Sequence, residues 1–139
     1  RHKNTRHIGI GYLKGYGLKS GAVATSVAHD SHNIICVGTN DEDMAFAVNR
    51  IARNRGGIVV VENGQVLAEL PLEIAGIISG KPLREVNTLL EGAKKAAHSL
   101  GVGTDIDPVM TLSFMSLPVI PTLRLTTRGV VDVNTQQYV

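Results

Sequence analysis

Gly56-Gly57-Ile58-Val59-Val60-Val61-Glu62-Asn63-Gly64-Gln65-Val66-Leu67-Ala68-Glu69-Leu70-Pro71 is the stretch on which the fold turns. Ile58 to Glu62 is a β-branched run, and Gln65 to Leu70 is a second strand-like run. Asn63-Gly64 stands between them. A two-residue type I′ turn needs φ > 0 at both central positions, so an Asn-Gly pair flanked by such runs is the strongest short-range hairpin signal. Pro71 closes the second strand because it has no N–H to offer the ladder.

Working upstream, the segment before Gly56-Gly57 reads as a helix. Thr39 and Glu42 have capping-box spacing, with Asn40 and Asp41 as alternative caps. Asp41, Glu42 and Asp43 sit where the helix dipole favours negative charge, and Arg50, Arg53 and Arg55 lie near the opposite pole. Met44, Ala47, Val48 and Ile51 follow at i, i+3, i+4, i+7, one apolar stripe, and Gly56-Gly57 ends the helix. Further upstream, residues 22–28 are small and β-compatible, and residues 34–38 look like a short buried strand. Between them lies the polar pentad His29-Asp30-Ser31-His32-Asn33, which either joins two neighbouring strands or interrupts one. Residues 8–21 hold five glycines. The spacing of Gly9, Gly11 and Gly15 faintly resembles a phosphate loop, but that motif opens a helix and more strand-like sequence follows here. A strand with bulges or close backbone approaches is the expected reading.

Downstream, residues 72–80 read as a short apolar helix or an irregular segment. A second helix is expected from about Pro82 to Leu100, with Leu83, Val86, Leu90, Ala93, Ala97 and Leu100 spaced by threes and fours and Gly101 as its cap. Residues 109–117 alternate like a strand, yet Asp107-Pro108 suits a helix start and Pro118 and Pro121 a helix end, which favours helix. Leu123 to Val133 reads as a terminal hairpin turning at Thr127-Arg128-Gly129. Short strands with tight connections and two or three helices define a single α+β domain, a mostly antiparallel sheet with helices packed on it.

The 139 residues suit one domain, and 43% hydrophobic content supports a packed core. Cys36 is the sole cysteine, which excludes an internal disulfide. No apolar run approaches the roughly 20 residues of a membrane span. The formal charge of +2 is uneven: without residues 1–7, 11 basic residues face 12 acidic ones. Residues 1–7 read as a basic connecting segment and residues 8–139 as the domain. With five aromatics and no basic stripe in the body, nucleic-acid binding is not expected. The chain opens on Arg1 and its first methionine is Met44, so it reads as a fragment of a longer protein.

The pentad is the densest polar cluster. Two imidazoles and a carboxylate within four residues could bind a metal, move protons or recognise a purine. In an extended chain His29 and His32 would point to opposite faces while Asp30 and His32 share one, and a metal would need further ligands from elsewhere. Three readings stand: side chains capping backbone groups at a turn, a contribution to a site shared with another domain, and a metal site within the chain. Cys36, in an apolar run, reads as a buried, inert thiol. His98 reads as an ordinary surface residue. Asp105 and Asp107 are either a carboxylate pair or loop and cap residues.

Four blocks, His29 to Ala45, Gly56 to Gly64, Leu70 to Gly76 and Met110 to Pro121, resemble in order the C-terminal domain of bacterial adenine deaminase, a member of the amidohydrolase superfamily. The resemblance runs from about Ile8 to Val133. It implies a cytoplasmic parent enzyme of purine salvage that hydrolyses adenine to hypoxanthine and ammonia. A hydroxide activated by a divalent metal, manganese or iron, would attack the purine carbon bearing the amino group. The family's metal ligands lie on a (β/α)8 barrel and begin with a His-x-His pair; this sequence has none, and such a barrel needs roughly 200 residues or more. No catalytic residue, metal ligand or cofactor is therefore expected in this chain. The implied partners are the barrel of the same polypeptide and, for the parent, adenine and further copies in a homo-oligomer. His29, Asp30, Ser31, His32 and Asn33 are the candidates for the barrel interface, helping to close the purine site. The alternatives are a structural or oligomerisation module and a small-ligand-binding module.

Overall fold

A computed structural model describes residues 7–139. The elements in chain order are β1 (Ala22–Thr25), β2 (Ile35–Gly38), α1 (Asp41–Arg53), β3 (Gly57–Glu62), β4 (Gln65–Pro71), α2 (Leu83–Ser99), α3 (Pro108–Phe114), β5 (Leu123–Thr126), β6 (Gly129–Asp132) and β7 (Gln137–Tyr138). Residues 1–6 of the expected basic segment lie outside the described residues.

The hairpin forms as its turn residues require. Asn63 and Gly64 have φ of 51° and 70°, and β3 pairs antiparallel with β4. Four strands in the order β2-β1-β3-β4, every neighbour antiparallel, make the main sheet. The expected pair of strands on either side of the pentad is β1 and β2, with Val23 opposite Val37 and Thr25 opposite Ile35.

The Ile-Val-Val-Val run of β3 is apolar at every position because both faces of the sheet are covered. Ala22, Ala24, Val59 and Val61 face α1 through Ala47 and Ile51. Val23, Ile58, Val60 and Leu70 face the other way, in one cluster with Ala93, Ala97 and Leu100 at α2 and Leu112 of α3. Strand alternation sends successive side chains to opposite faces, so three layers result: α1, sheet, and α2 with α3. Alanines at positions 22, 24 and 47 let α1 approach closely.

Asn40 caps α1, its Oδ1 accepting from Asp43 N–H at 2.8 Å, so Asn40 fills the role for which Thr39 was the first candidate. Residues 109–117 do start a helix: Asp107 Oδ1 accepts from Val109 and Met110 N–H at 3.0 and 2.8 Å, and Pro108 opens α3. Gly101, with φ of 104°, follows α2, although Leu83 in its first turn stands in solvent. Residues 72–80 are irregular, with one bridge between Ile74 and Ile78.

Two expectations change. Residues 8–21 form no strand. Positive φ at Gly15, Gly17 and Gly21 breaks any extended ladder. The close approaches are real, since a Cβ on Gly21 would stand 2.2 Å from the Val61 carbonyl oxygen. Tyr16 anchors the segment, its buried hydroxyl donating to the Pro108 carbonyl at 3.0 Å, and burial raises its pKa. The second change is that the terminal hairpin belongs to a separate sheet, β5-β6-β7, whose last strand was not foreseen.

Candidate functional site at the pentad end of the sheet

The pentad leaves β1 at the end of the sheet where β3 begins and β4 finishes. It is not extended. Ala28 C=O accepts from His32 N–H at 2.7 Å, and His32 carries φ of 49°, so the chain folds back within one turn. The two rings that extended geometry would separate therefore meet edge to face, centroids 5.4 Å apart. His32 Nδ1 accepts from Ala28 N–H at 3.3 Å, and Asn33 Nδ2 donates to Ser31 Oγ at 3.0 Å. The first is a backbone-capping contact of the kind polar side chains make at a turn, and the second joins two side chains within the turn.

Helix α3 fixes the other side. His29 N–H donates to Ser113 C=O at 2.9 Å, and Ser116 Oγ donates to His29 C=O at 3.1 Å. The His29 ring stacks on Phe114 at 4.9 Å. His29, His32 and Asn33 are half-buried, whereas Asp30 and Ser31 are exposed.

His29 also borders an apolar cavity of about 280 Å³ between the sheet, α2 and α3, walled by Val27, Ile58, Leu70, Leu90 and Met110. Two further residues of the cavity wall, Lys94 and Asp107, form an ion pair at 2.9 Å. Burial pushes the Asp107 carboxyl up, but the α3 amides and Lys94 outweigh it and hold it below the usual range. Asp107 is thus a cap and ion-pair partner, and the alternative of a carboxylate pair with Asp105 is not needed to explain it.

The same end of the sheet carries a feature with no sequence signal. Three non-glycine residues there hold left-handed backbone: His32, Arg55 before β3, and Ala75 after β4 with φ of 55°. For an L-residue that conformation costs about 1–2 kcal/mol. Ser26 binds two of these loops to the sheet, accepting from Gly57 N–H at 2.7 Å and donating to Gly76 C=O at 2.5 Å. Alanine gives no sequence hint of positive φ, so the Ala75-Gly76 turn was legible only in the structure.

Among the described residues, no group of three or more His, Cys, Asp or Glu side chains is placed to hold a metal ion. The described residues therefore do not fit a divalent metal. Cys36 lies on the α1 side of the sheet, and burial pushes its thiol up to about 12, as expected of an inert cysteine. His98 is half-buried rather than a plain surface residue, with Nδ1 3.1 Å from Val102 C=O just beyond α2. Among the described residues no helix is long and apolar enough to cross a membrane.

The fold and site define an α+β domain whose polar turn carries shape and hydrogen-bonding groups but no metal cluster among the described residues. The family described as "Adenine deaminase C-terminal domain" matches residues 1–137, and the chain belongs to that family. It is 52% identical over 139 residues to an adenine deaminase of Nitratidesulfovibrio vulgaris, covering 99% of this chain. It is 51% identical over 135 residues to adenine deaminase 2 of Carboxydothermus hydrogenoformans, and 45% identical over 139 residues to the adenine deaminase of Bacillus subtilis. In each case the chain spans 24% of the relative's length, so the match is to the C-terminal domain alone.

Proposed function

We propose that this chain is the C-terminal domain of an adenine deaminase, and that its pentad end lies against a preceding catalytic barrel and shapes the purine site. The observation that carries the second half is the position of His29. Its backbone is held by Ser113 of α3 and by Ser116 just beyond that helix, and its ring is stacked on Phe114 beside the apolar cavity. Asp30 and Ser31 are left facing outward from a turn that is otherwise tied down. A fixed turn with exposed polar tips is suited to completing a site on a neighbouring domain.

The whole enzyme would belong to the amidohydrolase superfamily and act in purine salvage in the cytoplasm. It would hydrolyse adenine to hypoxanthine and ammonia, its divalent metal, manganese or iron, resting on the barrel. Residues 1–7 would connect the two domains, and residues 8–139 would form the one described above. The parent would assemble as a homo-oligomer.

The test is steady-state kinetics on the full-length enzyme. Asp30→Ala should lower adenine turnover while the melting temperature stays within about 1 °C of the parent. His32→Ala should also lower turnover without unfolding the protein, although loss of the acceptor for the Ala28 N–H lowers its melting temperature. Unaltered kinetics in both variants would sink the proposed role of the pentad. If the substitutions change assembly or melting and leave kinetics alone, the domain is a structural module instead.

A further inference from the structure

Residues 8–12 run beside the turn of the terminal hairpin as an irregular strap, and the glycines face inward. A Cβ on Gly9 would stand 1.8 Å from the Thr126 carbonyl oxygen, and one on Gly11 would stand 3.1 Å from a Val130 methyl. The residues between them face out. Ile8 is 83% exposed, Ile10 80% and Tyr12 fully exposed. Three large apolar side chains at alternate positions thus stand in solvent, together on the order of 500 Å², the range of the largest apolar patch on a typical monomer, which is often functional. Glycine on the inner side explains how the strap lies so close to the hairpin. Among the described residues, nothing covers the isoleucines and the tyrosine on the outer side.

We infer that the Ile8–Tyr12 strap is the docking strip for the polypeptide that precedes this domain, received by an apolar surface of that neighbour. The inference rests on the proposed position of this domain at the C-terminal end of a longer enzyme. In the relatives the match covers only 24% of the length, and the matched domain is the C-terminal one, so most of the polypeptide lies on the N-terminal side of this strap. The strap is the described part of the domain nearest to that remainder in sequence. A tethered neighbour acts at an effective concentration in the millimolar range, well above that of a second copy in dilute solution. An exposed area of this size matches one side of an inter-domain contact, which buries about 600–1,500 Å² in all.

Photo-crosslinking in the full-length protein tests this. Tyr12→p-benzoylphenylalanine should crosslink to residues of the preceding domain, and mixing of isotopically light and heavy protein should show that both ends belong to one polypeptide. Crosslinks between light and heavy chains, or none, would overturn the inference. Ile10→Asp gives a second reading: tryptic cleavage after Lys14 should be at least tenfold faster than in the parent, and an unchanged rate counts against docking. Adenine turnover by the unmodified full-length protein separates the two readings. Turnover without an intrachain crosslink removes the docking strip and leaves the deaminase assignment standing; a crosslink without turnover does the reverse. A gene with no preceding domain would overturn both.

Discussion

Asp43, in the first turn of α1, accepts from the Gly64 backbone N–H at 2.8 Å across the tip of the β3–β4 hairpin. Its other oxygen accepts from Asn63 N–H at 3.2 Å and from Asn40 Nδ2 at 3.0 Å. One buried carboxylate therefore joins the helix cap to the turn that sets the register of the sheet. Both central amides of a type I′ turn point to the same side, which lets a single acid hold them.

Removing this acid strands two turn amides. Asp43→Ala should cost about 1–3 kcal/mol, read as a melting temperature several degrees lower. The Gly64 amide holds the Asp43 carboxyl below its ordinary value. A depressed carboxyl adds stability above its unfolded pKa of about 3.9 and loses it as the pH falls through the folded value. Asp43→Asn should therefore show a shallower loss of stability below about pH 4 than the parent, measured by urea unfolding across pH.

Ser26 is 1% exposed and serves Gly57 N–H and Gly76 C=O with one hydroxyl. Ser26→Ala should cost about 1–3 kcal/mol by leaving both groups unpaired. Hydrogen exchange at Gly57 should accelerate more than at Val60 in the middle of the strand. Equal acceleration at both would mean the hydroxyl is not a local tie.

Gly21 has φ of 72°, and a Cβ there would meet the Val61 carbonyl oxygen at 2.2 Å. Gly21→Ala should cost at least about 2 kcal/mol, from left-handed backbone and displacement of β3 together. Gly64→Ala is the control. Its φ is similar at 70° but nothing lies within 4 Å of a Cβ there, so its denaturant midpoint should fall less.

Cys36 should resist alkylation. With its thiol at about 12, the thiolate is a negligible fraction at pH 8. Iodoacetamide at pH 8 should label the folded protein far more slowly than the same protein in guanidinium chloride. Equal rates would show that the β2–α1 contact opens readily.

The local signals carried much of the fold. Asn63-Gly64 specified the hairpin, the Met44-Ala47-Val48-Ile51 stripe specified α1, and Asp107-Pro108 specified α3, because each acts over a few residues through backbone preference or helix period. The five glycines of residues 8–21 misled where the strand was concerned: their sequence announces backbone freedom but not the sign of φ. The sequence places Asp43 where the helix dipole favours negative charge, and its partners Asn63 and Gly64 become visible only when helix and hairpin are packed together.

The pentad divides in the same way. That His29 to Asn33 is a polar break between two strands followed from the sequence alone, since those residues interrupt apolar runs and can cap a turn. That His29 faces His32 and lies on Phe114 did not. Its placement depends on Ser113 and Ser116, more than eighty residues further along the chain, and on an α3 seated against the sheet. Sequence fixes what each residue can do within a turn or two. Which residues meet is decided by burial of both sheet faces, a property of the whole chain.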